Sequence, residues 1–197
     1  MVQTNQEVFS KEIAGLGVLS IRPFHVDTDS PMLHTWVTQP YAKYWGMLDK
    51  SLEEVRAEYQ EIEENPNHHT YIGMLNNIPV FLMERYKAST DIIAKHYEAQ
   101  ESDYGMHILV APIEKRIPQF TWHVFSTIID YFFSLPQVAR VVVEPDVNNE
   151  KIHKLNKKAG FVYQKEIDLS YKKAALAFCT KKMYKEALNQ LENKNEK

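Results

Sequence analysis

The chain has 197 residues, with 23 basic and 26 acidic side chains and a formal charge of −3. That length suits one domain with a real core, and the charge balance argues against nucleic acid, whose phosphates call for a basic surplus. Apolar residues at 44% and charged residues at 25% exclude a disordered chain, and no apolar run approaches the roughly 20 residues that span a bilayer.

Gly17 to Phe24 reads as a first strand, stopped by Pro23. Asp27 to Thr38 reads as a helix, with Asp29 or Ser30 as cap and Pro31 in its first turn. Ser51 opens a second helix: Ser-Leu-Glu-Glu is a capping-box pattern, and Leu52, Val55, Tyr59 and Ile62 keep helical spacing until Asn65-Pro66-Asn67. His69 to Met74 and Pro79 to Tyr86 form a hairpin across a tight turn at Asn76-Asn77. Lys87 to Ser102 is a polar connection with weak helical character, and Tyr104 to Ala111 is a strand with His107 in its middle. Phe120 to Leu135 has the clearest helical face, through Phe120, Val124, Ile128, Tyr131 and Phe132.

Arg140 to Val143 is a β-branched run, as a strand covered on both faces would be, and Pro145 ends it. Asp146 then stands at the strand's C-terminal end, a usual place for ligands in α/β sheets. Asn148 or Asn149 caps a short helix whose Ile152 and Leu155 face inward and whose left-handed stop is Gly160. Phe161 to Leu169 and Ala174 to Lys181 make a closing antiparallel pair around Ser170-Tyr171-Lys172, and Met183 to Leu191 is a short polar helix. Residues 1–15 and 185–197 read as frayed ends of a single domain covering 1–197. The pattern alone supports α/β or α+β. The N-terminus lacks the features of a signal peptide, and the single Cys179 suits a reducing compartment, so a cytoplasmic protein without a membrane partner is expected.

Two segments carry a resemblance. Arg140 to Phe161, RVVVEPDVNNEKIHKLNKKAGF, resembles the acyl-CoA-binding end of the GNAT acyltransferases, through Asn149 and the Ala159-Gly160-Phe161 ending. Asp103 to Pro112, DYGMHILVAP, resembles the preceding strand in the branch that acylates N-hydroxylated amines for siderophores, with Gly105-Met106-His107 here and Glu144-Pro145-Asp146-Val147 on the next strand. The likeness runs from Ile21 to Tyr184 and also touches His34 to Val37, Tyr44 to Met47 and Ala175 to Thr180. It implies a GNAT-like domain: a mixed central sheet flanked by helices, with a splayed strand pair that binds acyl-CoA. The implied co-substrate is acetyl-CoA or succinyl-CoA, the implied acceptor an N-hydroxylated diamine or amino acid, and the product a hydroxamate for an iron chelator.

His107 is the leading candidate for the base, since histidine accepts a proton near working pH. Asp146 is the candidate carboxylate to orient it, or else a turn and cap residue. For the donor, the resemblance points to Ile108 and Val110 on the strand, to Asn149 and Asn156, and to Lys115, Arg116, Gln119 and Thr121 before and at the next helix. Two departures from the family stand out. The phosphate loop, EKRIPQFTWHVF, has no glycine, and Asn156 stands where many members carry the tyrosine that protonates the leaving thiolate. Trp45, Glu84 and Tyr97 are candidates to hold the distal ammonium of a diamine. No metal is assigned: His68 and His69 are adjacent on a strand and face opposite ways. Cys179, on an apolar strand, reads as inert core. Competing readings are an aminoglycoside or polyamine N-acetyltransferase and a non-catalytic CoA-binding module.

Overall fold

In the computed structural model, residues 6–112 and 117–195 are described. The strands are β1 (Phe9–Ile13), β2 (Gly17–Pro23), β3 (His68–Leu75), β4 (Ile78–Lys87), β5 (Asp103–Val110), β6 (Arg140–Val143), β7 (Val162–Leu169) and β8 (Lys172–Thr180). The helices are α1 (Val26–Val37), α2 (Leu52–Glu64), α3 (Phe120–Ser134), α4 (Glu150–Lys158) and α5 (Lys181–Asn195). The strands form one eight-stranded sheet in the order β1-β2-β3-β4-β5-β6-β8-β7. It is mixed: β5 and β6 run parallel, while β6 and β7 are each antiparallel to β8. The parallel ladder ends at Gly105↔Val142, although β5 runs on to Val110. None of the described helices is long and apolar enough to cross a membrane.

The chain forms two compact units, residues 1–85 with 107–128 and residues 86–106 with 129–197. The first is built by its caps and turns. Asn76 and Asn77 both have positive φ, 48° and 68°, as a tight hairpin turn with strand-like twist demands. The Asn76 side chain also accepts from the Val18 N–H at 2.9 Å. α2 starts with the expected capping box: Ser51 Oγ accepts from the Glu54 N–H at 3.3 Å, and Glu54 Oε2 from the Ser51 N–H at 2.7 Å. α1 starts earlier than expected, with His25 at the cap position, so Asp29 and Ser30 lie inside it. Asp29 instead reaches back to the His25 N–H at 2.9 Å and holds Arg22 in two hydrogen bonds of 2.7 and 2.9 Å. Pro31 cannot donate to the Asp27 carbonyl four residues before it, and Arg56 approaches that carbonyl at 3.4 Å. The core of this unit gathers Leu33, Val37, Val55, Ile72, Leu82 and Leu109. β1 falls within the stretch 1–15 read as a frayed end; it is a strand, paired with β2 from Phe9↔Ile21 to Ile13↔Gly17.

In the second unit, the stretch after β4 becomes two short 3-10 helices, Ala88–Thr90 and Ile92–His96, the latter capped by Asp91, which accepts from the Ile93 N–H at 3.0 Å. Asp103, 1% exposed, clamps Arg140 through bonds of 2.8 and 2.6 Å and so ties β5 to β6. The glycine of Gly105-Met106-His107 has a steric reason: a Cβ at Gly105 would run into the Tyr86 ring. Tyr86 in turn donates to Glu144 at 2.8 Å. Ile93, Val142, Ile167, Leu169 and Leu176 pack around Tyr86.

α4 ends in a full Schellman motif. The Phe161 N–H reaches Asn156 O at 3.0 Å and the Gly160 N–H reaches Lys157 O at 3.1 Å. Gly160 has φ +87°, and a Cβ there would come within 2.7 Å of the Met183 carbonyl oxygen. Gly160→Ala therefore costs more than about 1 kcal/mol of stability, read as a lower midpoint in urea unfolding with an unchanged slope. α5 covers most of the other stretch read as frayed; Tyr184, 3% exposed, anchors it, with its ring centroid 6.0 Å from that of Phe133.

Candidate active site

A polar cluster of the first unit is centred on Glu84. It lies on β4, where Val80 to Glu84 are all buried, and it is only 5% exposed. A carboxylate so placed must be satisfied by donors. His107 Nδ1 is 2.8 Å from Glu84 Oε2, and His68 Nε2 is 3.4 Å from the same oxygen. Tyr59, from α2, donates to Oε1 at 3.0 Å, and Trp45 Nε1–H donates to the Tyr59 hydroxyl at 3.1 Å. Burial pushes the Glu84 carboxyl up, but the hydrogen bonds and charges of His107 and His68 outweigh it and hold the group well below the usual carboxylate range. Burial, followed by the charge on Glu84, pushes the Tyr59 hydroxyl well up, so it remains a neutral donor.

His107 is brought here by β5, whose Met106 and Leu109 point into the core. Its side chain is 35% exposed, so the ring touches Glu84 and remains open to solvent. The Trp45 ring stands edge-on to it, with centroids 6.3 Å apart at 81°. A histidine that meets a buried anion on one nitrogen and is partly exposed to solvent can accept and release a proton.

His68, Glu84 and His107 each offer a ligand atom, and these lie within 4.8 Å of one another. The contact of 2.8 Å between His107 and Glu84 is shorter than the roughly 3.3 Å between neighbouring donors of a tetrahedral metal site. The other carboxylate oxygen is committed to Tyr59. The geometry is that of a hydrogen-bonded network.

The other candidates fall as follows. Ile108 and Val110 are partly exposed on β5. Gln119 and Thr121 are exposed at the start of α3. Gln119 has φ 55°, so a glutamine supplies the left-handed residue that enters α3 from a loop without glycine. Lys115 and Arg116 lie outside the described residues. In the second unit, Asp146 Oδ1 accepts from the Asn148 N–H at 2.8 Å, and its backbone bridges to Ala174 on β8. Glu84, a sequence candidate for the acceptor's ammonium, is hydrogen-bonded to His107, while Asp146 closes a turn. Asn149 occupies the cap position of α4 without a side-chain cap bond. Asn156 is fully buried and donates to the Tyr163 hydroxyl at 3.0 Å, bracing α4 against β7. Tyr97 packs on Phe178, ring centroids 5.0 Å apart, with the Arg140 guanidinium 5.5 Å from its own ring. Burial pushes the Cys179 thiol up to about 12, which removes it as a nucleophile near neutrality.

The participation of His68 and Tyr59 was not legible in the sequence.

Fold and site together define an α/β domain with a mixed sheet and a carboxylate-held histidine suited to acid–base chemistry. The chain belongs to the family described as Acetyltransferase (GNAT) domain, which matches residues 25–169. An N(6)-hydroxylysine O-acetyltransferase from Escherichia coli is 28% identical over 161 residues, covering 81% of this chain and 51% of that protein. An N-hydroxyputrescine acetyltransferase from Acinetobacter baumannii is 24% identical over 166 residues, 84% of this chain and 79% of that protein. A crystal structure of an uncharacterized protein from Bacillus halodurans matches with a TM-score of 0.83 at 29% identity, covering 92% of this chain and 93% of that one. The chain spans about half the length of the Escherichia coli relative, and 37% and 33% of two other curated relatives.

Proposed function

We propose that this chain is an acyl-CoA-dependent N-acyltransferase acting on an N-hydroxylated diamine or amino acid, of the N-hydroxyputrescine, N-hydroxycadaverine or N6-hydroxylysine class. The product is a hydroxamate, a ferric-ion chelating group. The observation that carries the reading is His107, half open on β5 with its inner nitrogen against the buried Glu84 carboxylate. Two relatives named for N-hydroxylated amines support the acceptor class.

The nitrogen of the hydroxylamine adds to the thioester carbonyl carbon, with donor and acceptor bound together. As the C–N bond forms, the nitrogen loses its proton to His107. The carbonyl electrons return, the C–S bond breaks, and CoA leaves as a thiolate that is protonated by the histidine or by water. Transfer is proposed to be direct, and burial of Cys179, which pushes its thiol up, fits a route without a thioester on the enzyme. Ile108 and Val110 offer main-chain groups to the donor, Gln119 and Thr121 border the entrance to α3, and Trp45 forms an acceptor wall beside His107. Asp146, partly exposed on the second unit, is proposed as an acceptor-orienting group.

The test is a matrix of initial rates. Acetyl-CoA and succinyl-CoA are paired with each N-hydroxy acceptor and its parent amine, with free thiol as the readout. Ferric-ion colour distinguishes an N-acyl hydroxamate from an O-acyl product. We expect thiol release with an N-hydroxy acceptor and a coloured ferric complex. Faster turnover of a polyamine or an aminoglycoside at neutral pH would transfer the chain to that class of acetyltransferase. Binding of every thioester without turnover of any acceptor would make it a CoA-binding module.

A further inference from the structure

We infer that Glu84 is the positioning residue of the acid–base site, fixing the tautomer of His107 and stabilising the cation that forms when His107 takes up a proton. This inference rests on the acyl transfer proposed above and gives Glu84 a role other than binding the acceptor's ammonium. A carboxylate that is ionised only accepts hydrogen bonds. His107 Nδ1, 2.8 Å from Glu84 Oε2, must therefore carry the hydrogen, which in the neutral ring leaves the lone pair on Nε2. The carboxylate is rigid because its other oxygen takes the Tyr59 hydroxyl at 3.0 Å, and that hydroxyl is itself held by Trp45 at 3.1 Å. The aromatic wall beside His107 and the group that orients His107 are thus one connected network.

Among the described residues, titratable groups that face this carboxylate include His107 from β5, His68 from β3 and Tyr59 from α2, with Glu58 acting on Tyr59 from the same helix. Both histidines approach one oxygen, so a single negative charge serves two imidazoles. Glu84→Gln keeps the shape and removes that charge. If its amide nitrogen turns to the histidines, His107 must accept at Nδ1, its hydrogen moves to Nε2, and the base is lost. If its amide oxygen turns to them, the tautomer survives but the imidazolium has no counter-charge. Both orientations weaken the base.

The experiment has two parts. The first is 15N NMR of the histidine rings in the resting protein, which requires no substrate. We expect His107 as one Nδ1–H tautomer in the wild type and a changed ring pattern in Glu84→Gln. A tautomer mixture for His107 in the wild type would overturn the inference whatever the activity. The second part is steady-state kinetics across pH. Glu84→Gln should lower kcat on the order of 10²- to 10⁴-fold with little change in acceptor KM, and Glu84→Asp, which keeps the charge, should recover part of it. The acid limb of any residual rate should move to lower pH in Glu84→Gln, because an imidazolium without its counter-ion loses its proton more readily. A raised acceptor KM with kcat and tautomer unchanged would return Glu84 to the ammonium of the acceptor and overturn the inference. If Glu84→Gln shows no cooperative melt, the wild-type tautomer and the Glu84→Asp rates decide. A fixed tautomer in a protein that acylates no acceptor would sink the proposed function and leave the positioning role standing.

Discussion

His107→Ala is expected to lower turnover by about 10²- to 10⁴-fold, the usual loss when a general base is removed, while acyl-CoA binding is retained. The two effects separate because the imidazole acts on the proton of the adding nitrogen, whereas the donor is held by other groups. Removing the ring takes one hydrogen bond from Glu84, but Tyr59 and His68 remain beside that carboxylate. His107 is 35% exposed, so water can enter the space it vacates. The fold should therefore survive with a modest fall in melting temperature. Donor binding is read by thermal stabilisation, where a ligand at 100 times its Kd adds about 2.7 kcal/mol. Added imidazole should restore part of the rate in the alanine variant, since it can diffuse into that opening and take the proton. An unchanged kcat would reduce His107 to a packing residue and remove the basis of the acid–base mechanism.

Much of the fold could be read from local pattern because local chemistry decides it. The Ser51/Glu54 box, the left-handed Asn76-Asn77 turn and the Gly160 stop each satisfy specific backbone groups within a few residues, and all three stand as expected. The β-branched run at Arg140 to Val143 does form a strand. Where a side chain bonds over a longer range, the local signal misleads. Asp29 looks like a cap, but it is drawn to Arg22 on the preceding strand, and the helix begins before it. Phe9 to Ile13 has only weak strand character by itself and owes its conformation to pairing with β2.

The site follows the same division. His107 is marked by its motif, and the glycine two residues before it has a local steric reason in Tyr86. Its carboxylate is a tertiary matter. Chain order along the sheet points to Asp146, and the carboxylate seen on Nδ1 is Glu84, 23 residues earlier on β4. Tyr59 was legible as a helix-face residue facing the core, but nothing in helical spacing reveals that its hydroxyl meets a buried anion. Buried polar networks are assembled by the fold from distant positions, so their members are individually visible and their connections are not.

The acceptor itself supplies the second large effect. At pH 7 the N-hydroxy amine should be turned over far faster than its parent diamine, and the gap should narrow as pH rises. An alkylamine of the lysine type has a pKa near 10.4, so roughly one molecule in 10³ is free base at neutrality. The ammonium has no lone pair with which to attack the thioester. An N-hydroxy amine is far less basic and is largely unprotonated at the same pH. His107 can take the proton that nitrogen releases on adding to the thioester, but a histidine is too weak a base to strip an alkylammonium first. From pH 7 to pH 9 the free base of the parent diamine rises about 100-fold, whereas that of the N-hydroxy form is already near its limit. The ratio of the two kcat/KM values should shrink accordingly. Removing the distal amine from the acceptor should also slow transfer, because that cation anchors the chain and orients the nucleophile. The measurement is initial rate against pH for N-hydroxyputrescine, N-hydroxycadaverine, putrescine and cadaverine. A ratio that stays constant from pH 7 to pH 9 would mean that the enzyme selects the hydroxyl group by contact, and nitrogen protonation would then not be the source of the preference. Equal rates for the two acceptor types at pH 7 would remove the N-hydroxy amine from the proposal altogether.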